Sequence, residues 1–214
     1  MEKADIDYTL YLCTDRNLMK TETLAETVEQ AILGGCSVVQ LREKECDTKE
    51  FFQMAKGIKQ VTDKYNIPLI INDRIDIMLA VDAAGVHLGQ EDMPLKEARR
   101  IIGENKIIGV SAHNLTEARK AWEEGADYLG VGAIYPTTTK VKTVITPVSV
   151  LSEICKSVPI PVNAIGGLNT DNSDVLSDVD IDGICVVSAI MKSDNPYLAA
   201  HSLKQKAIEL TNRR

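Results

Sequence analysis

The sequence lacks any run approaching the ~18 consecutive apolar residues of a membrane-crossing helix, so no membrane partner is expected. Its opening residues, MEKADIDYTL, lack the apolar centre of a secretory signal, and the expectation is a cytoplasmic protein. No C-x-x-C pair occurs among the five cysteines, Cys13, Cys36, Cys46, Cys155 and Cys185. An odd count without paired spacing argues against a disulfide framework or a zinc site and for reduced, mostly buried thiols. There is no basic excess. Lys and Arg number 24 against 31 Asp and Glu, a net charge of −7, so nucleic acid is not an expected partner. No low-complexity tract or charge block divides the 214 residues, and a single domain over 1–214 is expected.

What is present is an alternation. Short runs rich in Val, Ile and Leu read as fully buried parallel strands at Tyr8–Cys13, Val38–Leu41, Pro68–Ile71, Val86–Leu88, Ile107–Val110, Tyr128–Val131, Pro161–Ala164 and Gly183–Val187. Amphipathic stretches lie between them. Leu24, Val28, Ala31 and Ile32 share one face; so do Phe51, Phe52, Ala55, Ile58 and Val61, and Leu115, Ala118, Ala121 and Trp122. Asp47, Asn114 and Asn169 are expected helix N-caps, with Glu117 completing a capping-box variant. Gly34-Gly35, Gly85, Gly103 and Gly125 are expected helix stops. Eight strands and about eight helical segments favour a closed (β/α)8 TIM barrel, with a doubly wound open sheet as the other architecture.

In such a barrel the chemistry sits just after each strand. Side-chain alternation puts Gln40 and Arg42 on the inward face with Val38, continued by Lys44, while Val39 and Leu41 face the helices. An amide and two cations aimed at the mouth suit a polyphosphate and a heterocycle. Asn72-Asp73 follow the third strand and Gln90–Asp92 the fourth; two carboxylates with open positions suit Mg²⁺. On chemistry alone Glu91 competes with Asp92, and Asp73 has a rival role as a helix cap. Ser111 follows the fifth strand, able to donate to a phosphate or to cap. His113 lacks a triad-type partner and reads more simply as a loop or capping residue. The loop from Gly132 to Lys140 carries Thr137, Thr138, Thr139 and Lys140, which read as an anion clamp with the character of a lid or, alternatively, as a disordered surface loop. Gly166-Gly167 and the N-terminus of a short helix expected at Ser188-Ala189-Ile190, after the strand ending at Val187, would form a backbone cup for a monophosphate.

Taken together these segments resemble the thiamine-phosphate synthase family. The matching pieces are QLREK at Gln40–Lys44, INDR at Ile71–Arg74, HLGQED at His87–Asp92, GVSAH at Gly109–His113, PTTTK at Pro136–Lys140, AIGGL at Ala164–Leu168 and VVSAI at Val186–Ile190. They occur in family order across almost the whole chain. The resemblance implies a transferase that condenses 4-amino-2-methyl-5-hydroxymethylpyrimidine diphosphate with 4-methyl-5-(2-phosphoethyl)thiazole, or its carboxylated form, giving thiamine monophosphate and pyrophosphate.

It also implies roles. Gln40, Leu41, Arg42, Glu43, Lys44, Asn72, Ser111 and Lys140 would hold the pyrimidine diphosphate, with Arg42, Lys44, Ser111 and Lys140 acting in catalysis. Thr137, Thr138, Thr139, Gly166, Gly167, Val187 and Ser188 would hold the thiazole phosphate. Asp73 and Asp92 would bind one Mg²⁺ per subunit. One departure stands out: where the family commonly continues with an acid after the clamp lysine, this chain reads Val141-Lys142, which bears on lid closure. The rivals are a thiazole tautomerase, another phosphate-sugar barrel enzyme, and a non-catalytic phosphate-binding regulator. The paired acids and the Gln40–Lys44 series favour the synthase, and no Lys inside the sixth or seventh strand serves an aldolase Schiff base. The sequence sets no oligomeric state.

Overall fold

In the computed structural model, which describes residues 3–137 and 144–212, the alternation closes into a barrel of parallel strands. The strands are β1 Leu10–Cys13, β2 Val38–Leu41, β3 Leu69–Asn72, β4 Gly85–Leu88, β5 Ile107–Ala112, β6 Tyr128–Val131, β7 Val162–Ile165 and β8 Gly183–Val186. Each pairs with its sequence neighbour, and β8 returns to β1 through Tyr11 opposite Cys185, so no edge is left open. The helices are α1 Leu24–Leu33, α2 Thr48–Lys64, α3 Ile75–Ala80, α4 Leu95–Ile102, α5 Leu115–Glu123, α6 Val148–Ser157, α7 Ser188–Met191 and α8 Pro196–Thr211. After β7 a 3-10 turn, Ser173–Leu176, takes the place of a full helix. Among the described residues no helix is long and apolar enough to cross a membrane.

Strand alternation sorts the apolar residues into two clusters. Leu10, Leu12, Val39 and Leu41 pack outward against the helices, while Tyr11, Cys13, Val38, Ile70, Ile107, Tyr128 and Cys185 fill the barrel. The outward residues are fully buried. Truncating one of them to alanine would cost about 2–5 kcal/mol through lost transfer energy and the cavity left behind.

Capping explains several element starts. Asp47 accepts from Glu50 N–H at 2.8 Å and Asn114 from Glu117 N–H at 2.9 Å, as expected. Three expectations are corrected. Asn169 caps no helix; its side chain accepts from Asp171 N–H and Asn172 N–H in a turn, because the polar run after it is too short to open a regular helix. Gly85 does not stop α3. Asp82 takes the left-handed turn instead (φ 53°), and Gly85 opens β4, where a Cβ would lie 2.2 Å from the Ile107 carbonyl oxygen. Trp122 is 40% exposed rather than packed, since α5 buries only the small residues Ala118 and Ala121.

Candidate active site at the barrel mouth

Parallel strands deliver their C-terminal residues to one end, and the structure brings the predicted polar groups together there. A single cavity is lined by Gln40, Arg42, Asn72 and Ser111 and also by Thr137, Gly166, Gly167, Val187 and Ser188. The two expected anion subsites are therefore contiguous.

Arg42 is set by its neighbour strand. Buried Thr14, just past β1, donates its N–H to the Gln40 carbonyl at 2.9 Å and accepts from Arg42 N–H at 3.1 Å. Arg42 then lies between the central cavity and a side groove lined by Asp15, Arg16, Glu43 and Lys44. Among the described residues its guanidinium forms no ion pair, so a cation stands ready for a ligand. Lys44 is different: half-exposed, it pairs with Asp73.

Two expected contacts are placed elsewhere. Leu41 is fully buried in the helix-facing cluster, which turns its side chain away from the mouth. The buried Glu43 carboxylate pairs with Arg16 Nε at 3.0 Å, and its other oxygen, Oε1, has no hydrogen-bond partner among the described residues. Burial pushes the Glu43 carboxyl above the usual glutamate range, against the pull of Arg16.

The acids meet as the topology requires. Asp73 N–H donates to the His87 carbonyl at 2.9 Å, tying the end of β3 to β4. Asp73 sits in the left-handed region (φ 62°), and α3 begins after Arg74 without any side-chain cap, so the capping role does not hold. Asp92 folds back to accept from Gly89 N–H at 2.6 Å. Burial and the neighbouring Asp73 carboxylate both push the Asp92 carboxyl upward. Glu91 is exposed, whereas Asp92 is partly buried beside Asp73. Two carboxylates crowded together with one half-exposed lysine opposite are a donor set that suits a hard divalent cation, its other positions left to water and phosphate. Among the described residues no group of three or more His, Cys, Asp or Glu gathers in a metal-binding arrangement.

His113 precedes the Asn114 cap and serves as a partner of Glu117. Its N–H and Nδ1 both meet Glu117 Oε2, at 2.8 and 3.0 Å. Burial works to raise the Glu117 pKa, but these bonds and one from Asn114 outweigh it and hold the carboxyl low. Ser111 has a partner that sequence reasoning missed. Its Oγ lies 2.9 Å from His87 Nε2, and His87 Nδ1 lies 2.9 Å from Tyr128 Oη. Tyr128 Oη lies 2.7 Å from Tyr11 Oη, which accepts from Gln40 Nε2 at 2.9 Å. The inward period of β1 and β6 was the available signal, because it puts both tyrosines on the same face as Gln40.

The opposite wall is made of backbone. Ile134 N–H and Tyr135 N–H donate to the Ile165 and Gly166 carbonyls, each at 3.0 Å, zipping the loop after β6 to the loop after β7. Gly166 and Gly167 have φ of 103° and 69°. A Cβ on Gly166 would come within 2.4 Å of Ala133 Cβ, so only glycine fits this approach. Val187 and Ser188 follow at the start of α7. Thr138, Thr139, Lys140 and the Val141-Lys142 departure lie outside the described residues.

Comparison with known proteins identifies a family for the chain. A family model described as "Thiamine monophosphate synthase" matches residues 10–190. The chain is 53% identical over 204 residues to a thiamine-phosphate synthase of Clostridium botulinum, covering 95% of this chain and 96% of the relative. It is 54% identical over 199 residues to that of Methanobrevibacter smithii, covering 93% and 95%. The solved thiamine phosphate pyrophosphorylase of Pyrococcus furiosus superposes with a TM-score of 0.88 at 39% identity, covering 96% of this chain and 98% of that one. A geranylgeranylglyceryl phosphate synthase from Thermoplasma acidophilum, solved with sn-glycerol-1-phosphate, shares the fold at 16% identity, with a TM-score of 0.69 over 96% of this chain and 94% of that one.

Proposed function

Because the chain belongs to the thiamine monophosphate synthase family, we propose that its barrel mouth divides one transfer reaction between two walls. The enzyme is a transferase that joins 4-amino-2-methyl-5-hydroxymethylpyrimidine diphosphate to 4-methyl-5-(2-phosphoethyl)thiazole, releasing pyrophosphate and thiamine monophosphate. The carboxylated thiazole phosphate is a second form that the same cup would take.

In this reading Gln40 and Asn72 orient the aminopyrimidine. Arg42, Lys44, Ser111 and Lys140 receive the diphosphate. Thr137, Thr138, Thr139, Gly166, Gly167, Val187 and Ser188 hold the thiazole phosphate. Asp73 and Asp92 would hold Mg²⁺, which supplies positive charge toward the diphosphate oxygens. Leu41 contributes only backbone, and Glu43 shapes the loop through Arg16.

The chemistry follows from placement of charge. Arg42 and Lys44 neutralise the negative charge that builds on the leaving pyrophosphate as its bond to the methylene carbon breaks. The electron-rich aminopyrimidine carries the resulting cation. The thiazole nitrogen, held beside it by the backbone wall, captures the cation, so no protein nucleophile is required.

The observation that carries this reading is the single cavity joining Gln40, Arg42, Asn72 and Ser111 to Gly167 and Ser188. Among the described residues no disulfide joins any of the five cysteines, which suits a reducing compartment such as the cytoplasm. The test is pyrophosphate release by the purified protein given each substrate alone and both together, with Mg²⁺ and with chelator. Release that needs both substrates and the metal supports the reading; ligand binding without turnover would overturn it.

A further inference from the structure

Four hydrogen bonds run unbroken across the barrel interior from Gln40 to Ser111, and the donors along them can be counted. Gln40 Oε1 accepts from the Cys13 thiol at 3.4 Å, which orients the amide and leaves Nε2 to donate to Tyr11 Oη. A thiol is a poor acceptor but donates to a carbonyl oxygen, so the reverse amide orientation is disfavoured. Tyr11, already accepting, has one proton, and it goes to Tyr128 Oη. Tyr128 likewise has one proton to give, and it goes to His87 Nδ1. An accepting Nδ1 puts the ring proton on Nε2, which donates to Ser111 Oγ. Ser111 is left accepting from His87, with its own hydroxyl hydrogen turned toward the cavity.

The surroundings are shaped for this chain. A Cβ on Gly109 would lie 2.0 Å from Tyr128 Cζ, and one on Gly130 would lie 3.2 Å from His87 Cε1, so both rings occupy room left by glycines. Tyr11 and Tyr128 are fully buried, and burial holds both phenols well above the ordinary tyrosine range. Each therefore remains a donor of a single proton across the pH range of a folded protein.

We propose that Tyr11, Tyr128 and His87 are positioning residues that form a proton-ordered chain, holding the Gln40 amide in one orientation and making Ser111 a donor toward an anionic oxygen of the bound substrate. The direction of the chain comes from the ligand-free geometry. Its use rests on the reading that Ser111 meets the diphosphate. An acceptor at Ser111 would repel that ligand, whereas a donor whose hydrogen has no other partner among the described residues is ready before the ligand arrives.

The test has two arms. The chain contains three histidines, His87, His113 and His201. In the ligand-free protein labelled with ¹⁵N-histidine, two-bond ¹⁵N–¹H correlation reads the tautomer of His87, with His113→Gln and His201→Gln assigning the other two. Nε2–H is expected; Nδ1–H or a doubly protonated ring would overturn the ordering whether or not the enzyme assignment holds. The second arm is kinetic. Tyr128→Phe keeps the ring and removes the relay, and it should lower kcat/KM for the pyrimidine diphosphate about tenfold while KM for the thiazole phosphate stays within twofold. Combined with Ser111→Ala it should add almost nothing to the loss from Ser111→Ala alone, because both break one chain. Fully multiplicative losses would assign Tyr128 a merely structural role and refute the proposal. Tyr11→Phe provides the same comparison one bond further along.

Discussion

Arg42→Ala isolates the proposed division of the site. The side chain lies between the central cavity and the side groove, and among the described residues it forms no ion pair. Its backbone bond to Thr14 survives the substitution. The nearby buried Glu43 keeps its ion pair with Arg16 when the guanidinium is removed, so the folded state loses little, and a Tm within about 2 °C of the parent is expected. The loss should fall on the ligand. A charge-assisted hydrogen bond contributes about 1.5–3 kcal/mol, roughly 10- to 150-fold in kcat/KM for the pyrimidine diphosphate. KM for the thiazole phosphate should stay within about twofold. Arg42→Lys should fall between, since a point charge replaces the planar fork. Initial rates of pyrophosphate release, with each substrate varied at saturation of the other, measure both quantities. Equal losses for both substrates, or a large drop in Tm, would refute the two-wall division.

Three further outcomes are expected. Asp92→Ala should raise the Mg²⁺ concentration needed for half-maximal turnover at least tenfold with the far-UV circular dichroism spectrum unchanged, and undiminished activity at low Mg²⁺ would contradict the metal assignment. At the opposite end of the barrel Asp127 accepts from Arg99 at 2.6 Å, Lys3 at 2.9 Å and Ile108 N–H at 2.7 Å; Asp127→Ala should cost about 3 kcal/mol, a fall in Tm of roughly 6–12 °C, with kcat unchanged. Glu43, raised by burial, is an acid whose folded pKa lies above its unfolded value, so its ionisation works against the fold as pH rises past the ordinary glutamate range. Glu43→Gln should therefore gain stability relative to the parent between pH 4 and pH 7 in urea titrations, and a constant difference across that window would contradict the shift.

Much of this was legible in the sequence because a buried parallel strand leaves a short, nearly continuous apolar run. All eight strands begin and end within two residues of expectation. The inward register of Val38, Gln40 and Arg42 followed from alternation alone, as did the meeting of Asp73 with Asp92 across adjacent strands. What escaped was interior polarity. Tyr11, Tyr128 and His87 look like ordinary strand residues until the barrel closes and brings their polar atoms together from β1, β6 and β4. Short-range signals also misled. Asn169 and Gly85 carry the right residue types for a cap and a stop, but the chain around them forms a turn and a strand start instead. Glu43 belongs to the motif yet not to the mouth, because Arg16, distant in sequence, draws it aside.

The account turns on where the leaving group sits. A crystal structure of the protein grown with Mg²⁺, pyrophosphate and thiamine monophosphate tests this directly. Pyrophosphate should contact Arg42 and Ser111, with the metal between Asp73 and Asp92 and the product's phosphate against Gly167 and Ser188. Pyrophosphate bound at the Gly167–Ser188 wall, with Arg42 and Ser111 left untouched, would contradict it.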